Sequence, residues 1–175
     1  TCGQLLDFLE SEKVAKNTIV LYVTDNGWIQ DPEKPKYAPR SKQSQYDTGL
    51  RTPILVRWPD KEKPRVSDKV VSSLDLLPTV LAACKVTAPK GLPGVNLLDD
   101  EAVAARQSVF GECFTHTAVD LDNPAASLRW RWTISEDMKL IVPNAKNEPD
   151  ATVELYDLKT DPGEQNNLAK EKADR

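Results

Sequence analysis

The sequence predicts an α/β fold, and three observations carry that prediction. An apolar run, Ile19 to Val23, stops abruptly on Asp25, Asn26 and Gly27; a helical pattern precedes it; and a second apolar run, Ile54 to Trp58, follows a long polar loop. Aliphatic, β-branched and aromatic residues without polar interruption fit a strand covered on both faces in a parallel sheet. A helix leading into a strand is an α/β unit, and the second run adds another strand to the same sheet after a crossover.

The chain supports each element in order. Residues 3–16 read as an amphipathic helix, with Leu5, Leu6, Phe8 and Leu9 on one side and Asp7, Glu10, Glu12 and Lys13 on the other. Asn17 is its expected terminator. In open α/β sheets ligands bind at the carboxyl ends of strands, where Asp25 and Asn26 offer hard oxygen atoms of the kind magnesium or calcium takes. Gly27 lets the backbone turn away. Asp-Asn-Gly is equally ordinary turn chemistry, so both readings stand at this point.

Residues 28–41 hold three prolines and alternating charge, which excludes a regular helix and makes them a surface excursion. Trp28 and Tyr37 either pack under this loop or line a sugar-binding wall. After the second strand and a polar stretch, Ser72 or Ser73 caps a helix whose positive first turn suits Asp75. Pro78 is tolerated near its start, and Leu76, Leu77, Val80 and Leu81 form its expected buried face. Lys85 to Asp100, with Pro89, Gly91, Pro93 and Gly94, is an irregular connection and the expected subdomain boundary. Beyond it, Ser108–Thr115, Leu128–Ile134, Lys139–Val142 and Val153–Leu158 predict a small antiparallel sheet. The charged tail from Lys170 to Arg175 reads as a fraying helix end.

Composition bounds the function. The 175 residues, 39% hydrophobic and 29% charged, suffice for one sizeable core or a domain plus an appendage, and no apolar stretch approaches the roughly 20 residues of a membrane span. The net charge of −4 gives no basic footprint for nucleic acid. Neither a membrane nor nucleic acid is an expected partner. Cys2, Cys84 and Cys113 lack metal-ligand spacing and read as small packing residues. Thr1 to Gln4 contains no basic region and apolar core to read as a signal peptide.

The stretch from Thr18 to Gly27, taken with Lys42-Gln-Ser-Gln-Tyr46-Asp47-Thr48-Gly49-Leu50-Arg51-Thr52-Pro53 and the strand after it, resembles the carboxyl-terminal part of the sulfatase family of the alkaline phosphatase superfamily. In that family a strand ending in Asp-Asn-Gly supplies two metal ligands, and a lysine precedes an aromatic residue, an acid, glycine, arginine and proline. Asp75-Leu-Leu-Pro-Thr79 and the ending Glu154-Leu-Tyr-Asp157 through Asp161-Pro162-Gly-Glu164 to Asn167-Leu168-Ala169 are also similar to the family. Two departures stand out: Thr48 replaces the first of two usual glycines, and the acid is Asp47 where glutamate is commoner.

The resemblance implies part of an alkaline phosphatase-like mixed sheet with flanking helices, then a small antiparallel sheet subdomain with a C-terminal helix. Residues 1–105 are the expected C-terminal part of the catalytic domain, and 106–175 the C-terminal subdomain. It implies that Asp25 and Asn26 hold a divalent metal, calcium with magnesium as the alternative, and that Lys42 contacts the sulfate group catalytically. Arg51 either touches the anion or, in the preferred reading, pairs with Asp47 to hold the loop. His116, the only histidine, serves the substrate as acid, base or hydrogen-bond donor, or is a surface residue.

The implied nucleophile is a formylglycine made from a Cys/Ser-x-Pro-x-Arg motif, which this sequence lacks. The expectation is therefore a C-terminal fragment that is inactive alone and works with the N-terminal part of the same enzyme on a sulfated small molecule or glycan. The resemblance places such an enzyme in a periplasmic, secreted or lysosomal compartment. The competing readings are a phosphodiesterase or phosphonate hydrolase of the same superfamily, and a noncatalytic carbohydrate-binding module using Trp28, Trp130 and Trp132.

Overall fold

The first helix, α1 (Cys2–Ser11), ends five residues before its apolar pattern does in the computed structural model, which describes residues 1–172. Its stop signal is Lys13, at φ 59°, with the N–H groups of Lys13 and Val14 returning to the carbonyls of Glu10 and Leu9 at 3.0 and 3.1 Å. That left-handed closure ends the helix before the expected terminator, Asn17, which instead closes a 3-10 turn, Ala15–Asn17. Leu6 and Leu9 are half-buried, while Leu5 and Phe8 are exposed.

Strand β1 (Val20–Val23) pairs with β2 (Ile54–Arg57), as the two apolar runs require, but antiparallel, with Val20 opposite Arg57 and Val23 opposite Ile54. The expected parallel, doubly covered strand is not what the described residues form. Each strand has the other as its partner, and Tyr22, Val23 and Leu55 remain exposed.

By internal packing Thr1–Thr24 and Pro53–Arg106 make one unit, and Asp25–Thr52 together with the chain from Gln107 onward make a second.

In the first unit Ser72 caps the 3-10 turn Ser73–Asp75, which runs into α3 (Leu76–Ala83). The buried residues here are not the leucines. Leu77 and Val80 are exposed, whereas Asp75 and Thr79 are fully buried. The reason is polar: the irregular segment from Val95 to Leu98 lies on that side, and its Val95 and Leu97 N–H groups donate to the Asp75 carboxylate and the Thr79 hydroxyl at 2.9 and 2.8 Å. Arg106 adds a two-pronged ion pair to Asp75, at 2.6 and 2.5 Å. α3 closes like α1, on a left-handed Lys85. A short helix, α4 (Asp100–Ala105), capped by the Asp99 side chain, was not expected from the sequence. Lys85 to Asp99 is irregular, as predicted.

In the second unit α2 (Asp47–Leu50) is a single helical turn. The four predicted strands there are β3 (Ser108–Phe114), β4 (Leu128–Ser135), β5 (Met138–Pro143) and β6 (Glu154–Asp157), antiparallel throughout in the order β3-β4-β5-β6. Cys113, Trp130, Ile141 and Tyr156 form the core, with Tyr46, Trp132 and Leu158 packed against it. Burial of Trp130 removes it from any glycan-binding surface. Cys113 packs as expected, but Cys2 and Cys84 are exposed.

No closing helix follows the Asp-Pro turn among the described residues. The Asp161 carboxylate accepts from Gln165 and Asn166 N–H at 3.0 and 2.7 Å, and Asn167 and Leu168 bond back to Leu155, so side chains and β6 take the groups a helix would use. Of the predicted fraying tail, residues 173–175 lie outside the described residues.

Candidate functional site

The end of the Asp-Asn-Gly stretch is pinned to the Lys42 loop by two backbone donors. Gly27 N–H donates to the Gly49 carbonyl at 2.8 Å, and Ile29 N–H donates to the fully buried Ser41 hydroxyl at 2.6 Å. Contact is close enough that a Cβ on Gly27 would overlap the Thr48 carbonyl oxygen, and one on Gly49 would overlap that of Ser41. Glycine is needed at both places for lack of space. Thus the acid-amide pair and Lys42, separated by a proline-rich loop in sequence, belong to one loop cluster.

Asn26 donates its side-chain N–H to the Gly27 carbonyl at 2.8 Å, which leaves its oxygen available. The Asp25 carboxylate is exposed. Among the described residues these two adjacent hard oxygens have no protein donor and no group of three or more His, Cys, Asp or Glu gathers, so they fit a divalent cation as part of its shell.

Lys42 is half-exposed, with Nζ 5.8 Å from the centre of the Trp28 ring. The exposed Trp28 is met edge-on by Tyr37, ring centres 5.5 Å apart, and Tyr37 donates to Gln43 at 2.7 Å. Arg40 and Gln43, on either side of Ser41-Lys42, hold φ 61° and 63°. Left-handed backbone at non-glycine residues costs about 1–3 kcal/mol each and persists where surrounding contacts over-determine it.

Those contacts come from β5, β6 and the segment that follows β6. Asp47 N–H donates to Glu164 Oε2 at 2.7 Å; Lys139 Nζ lies 2.7 Å from Glu164 Oε1 and 3.4 Å from Asp47 Oδ1. Lys139 and Glu164 are both completely buried. The Arg40 guanidinium donates to the Glu164 backbone carbonyl and lies 3.5 Å from the centre of the Tyr46 ring, while Thr48 donates its hydroxyl to the Arg40 carbonyl. Tyr46 and Tyr156 both donate to Glu154, at 3.0 and 2.5 Å. Burial first, then the Glu154 charge, pushes the Tyr46 phenol up to about 12, and the same causes push Tyr156 up. Both phenols are donors that brace the loop, and neither is a base at neutral pH.

The sequence-predicted residues separate into those the fold gathers and those it does not. Asp25, Asn26 and Lys42 share the cluster. Arg51 is 81% exposed and stands 3.9 Å from Asp47, a loose pair. His116 is exposed in the bend after β3, the opposite edge of the sheet from β6, and no described contact joins it to the others. Sequence reasoning missed Lys139, Glu164 and Arg40. For Lys139 a signal existed: it shares the inward parity of Ile141 in a strand of alternating burial. A cleft of about 720 Å³ in the first unit, lined by Val56, Trp58, Leu97 and Val103 among others, contains none of the predicted site residues.

Comparison with known proteins places the chain in context. Residues 38–175 match the family model described as N-sulphoglucosamine sulphohydrolase, C-terminal. An N-acetylgalactosamine-6-O-sulfatase of Bacteroides thetaiotaomicron is 28% identical over 98% of this chain and 36% of its own length. Among solved structures, a Bacteroides thetaiotaomicron chain described with the metabolism of multiple glycosaminoglycans superposes with a TM-score of 0.72 at 28% identity, covering 98% of this chain and 37% of that one. Another, in complex with its substrate D-glucosamine-2-N,6-O-disulfate, gives a TM-score of 0.67 at 25% identity over 98% and 33%. The chain thus spans about a third of the length of these relatives.

Proposed function

The chain belongs to the sulfatase family, as its C-terminal part, and we propose that in the whole protein its Asp25–Lys42 loop cluster helps hydrolyse sulfate esters of a sulfated sugar. What supports this reading is the pinning of Asp25-Asn26-Gly27 against the Lys42 loop by the Gly27–Gly49 and Ile29–Ser41 bonds, which gathers into one loop cluster two hard-oxygen donors and an ammonium that has no carboxylate partner among the described residues.

Asp25 and Asn26 are the residues that would hold the divalent cation, calcium with magnesium as the alternative, since both take hard oxygen donors. When bound, such a cation neutralises charge on the nonbridging sulfate oxygens. Lys42 donates to those oxygens as charge develops, its flexible stem letting three N–H bonds follow them. The nucleophile, expected to be formylglycine, comes from the remainder of the protein. Trp28, exposed beside Lys42, offers an apolar face to a sugar ring, in keeping with the sugar sulfates named for the relatives.

The test uses the full-length protein and both a sulfated monosaccharide and an aryl sulfate. Lys42→Ala lowers kcat/KM by about 10²–10³-fold, the cost of removing one donor to a developing oxyanion, and leaves the fold intact. Asp25→Ala lowers bound metal, read by elemental analysis, and turnover with it. Normal turnover in the lysine variant, or normal metal content in the aspartate variant, would return these residues to the status of a solvated loop and a turn.

A further inference from the structure

We infer that Lys139, on β5, and Glu164, in the segment after β6, a pair buried together, are positioning residues for Lys42. The inference rests on the reading of Lys42 as the sulfate-contacting group.

Its basis is where Glu164 makes its bonds. One carboxylate oxygen accepts Asp47 N–H, its backbone carbonyl accepts Arg40, and its other carboxylate oxygen meets Lys139 Nζ. Arg40 lies two residues before Lys42 and Asp47 five after it, so one residue fastens both flanks of the segment that carries Lys42, the Asp47 flank by its carboxylate and the Arg40 flank by its backbone carbonyl. Lys139 fixes Glu164 from below and reaches Asp47 as well.

Stability alone does not call for this arrangement. A wholly buried lysine and glutamate are no more stabilising than well-packed apolar residues of the same volume, so a simple packing role would be met without charge. What the charges add is direction: the ammonium and carboxylate specify where the start of α2 lies, and packing does not. The left-handed Arg40 and Gln43 point the same way, since a loop so shaped relaxes unless held. The segment needing to be held has Lys42 at its centre, and displacement of a catalytic group by about 1 Å is enough to cost 10²-fold in rate.

The experiment uses the full-length enzyme with an aryl sulfate, comparing wild type with Glu164→Gln, Lys139→Met, the two combined, and Lys42→Ala. Each single change lowers kcat of the folded protein by at least tenfold, with little change in KM. The combined change removes both fully buried charges and leaves Asp47 with Arg51 at 3.9 Å as its cation, so it recovers part of the lost thermal stability but not kcat. Recovery of stability and kcat together, or single variants that melt earlier yet turn over normally, would reduce the pair to a structural role and overturn the inference while leaving the reading of Lys42 in place. Wild-type turnover by Lys42→Ala would remove that reading and the inference with it. Where Glu164→Gln yields no folded protein, Glu164→Asp, which keeps the charge and withdraws it by one methylene, is read by the same criteria.

Discussion

Asp75→Asn separates a structural motif from a functional one. Asp75 sits in the Asp-Leu-Leu-Pro-Thr stretch, and its fully buried carboxylate accepts Ser72 N–H at 2.7 Å, Val95 N–H at 2.9 Å and two Arg106 nitrogens at 2.6 and 2.5 Å. An asparagine of the same shape keeps one accepting oxygen but points an NH₂ at donors and leaves a guanidinium that is only 10% exposed without a counter-charge. Breaking a buried pair in this way costs about 3–5 kcal/mol. Because every 1.4 kcal/mol is tenfold, amide hydrogens of α3 that exchange through opening of this region should exchange about 10²- to 10⁴-fold faster. Native-state hydrogen exchange on the full-length protein reads this directly. Adding Arg106→Leu to Asp75→Asn should return most of the loss, since no charge is then stranded. Acceleration of less than tenfold, or a double variant worse than the single, would refute the argument.

Acid should reveal the same carboxyl. Burial opposes its charged form, but the Arg106 guanidinium and the Ser72 and Val95 N–H groups outweigh burial and hold it below the usual carboxylate range. A lowered folded value means the unfolded chain binds the proton first, so the stabilisation is complete above about pH 4 and disappears as pH falls through the folded value; stability measured between pH 5 and 2 should fall more steeply in wild type than in Asp75→Asn. Gly49→Ala drives a Cβ into the Ser41 carbonyl, a backbone atom that cannot swing aside, so the Lys42 loop must shift and kcat/KM should fall by about 10²-fold; unchanged kinetics would show that the loop yields without moving Lys42. Residues 1–175 purified alone should turn over no aryl sulfate with added calcium, because two oxygen donors cannot fill a shell of about six to eight ligands; turnover that vanishes on Lys42→Ala would overthrow this.

Local chemistry made much of this protein legible from sequence. The four strands between Ser108 and Asp157 follow from short runs of strand formers divided by polar turns, and the irregular course of Lys85 to Asp99 follows from its prolines and glycines. Asp25, Asn26 and Lys42 were legible as candidates because residue type and order along the chain carry that information. Tertiary structure decided what depends on which parts meet. The antiparallel direction of β1 and β2, the polar burial of Asp75 and Thr79 in place of Leu77 and Val80, and the return of Asn167 to β6 in place of a helix all turn on a partner elsewhere in the chain. The loop network shows the reason most plainly. Asp47 meets Lys139 across 92 residues and Glu164 across 117, and a charged side chain looks the same in sequence whether it ends in water or against an opposite charge in a core. Periodicity tells which way a strand residue points, while only the assembled sheet tells what it points at.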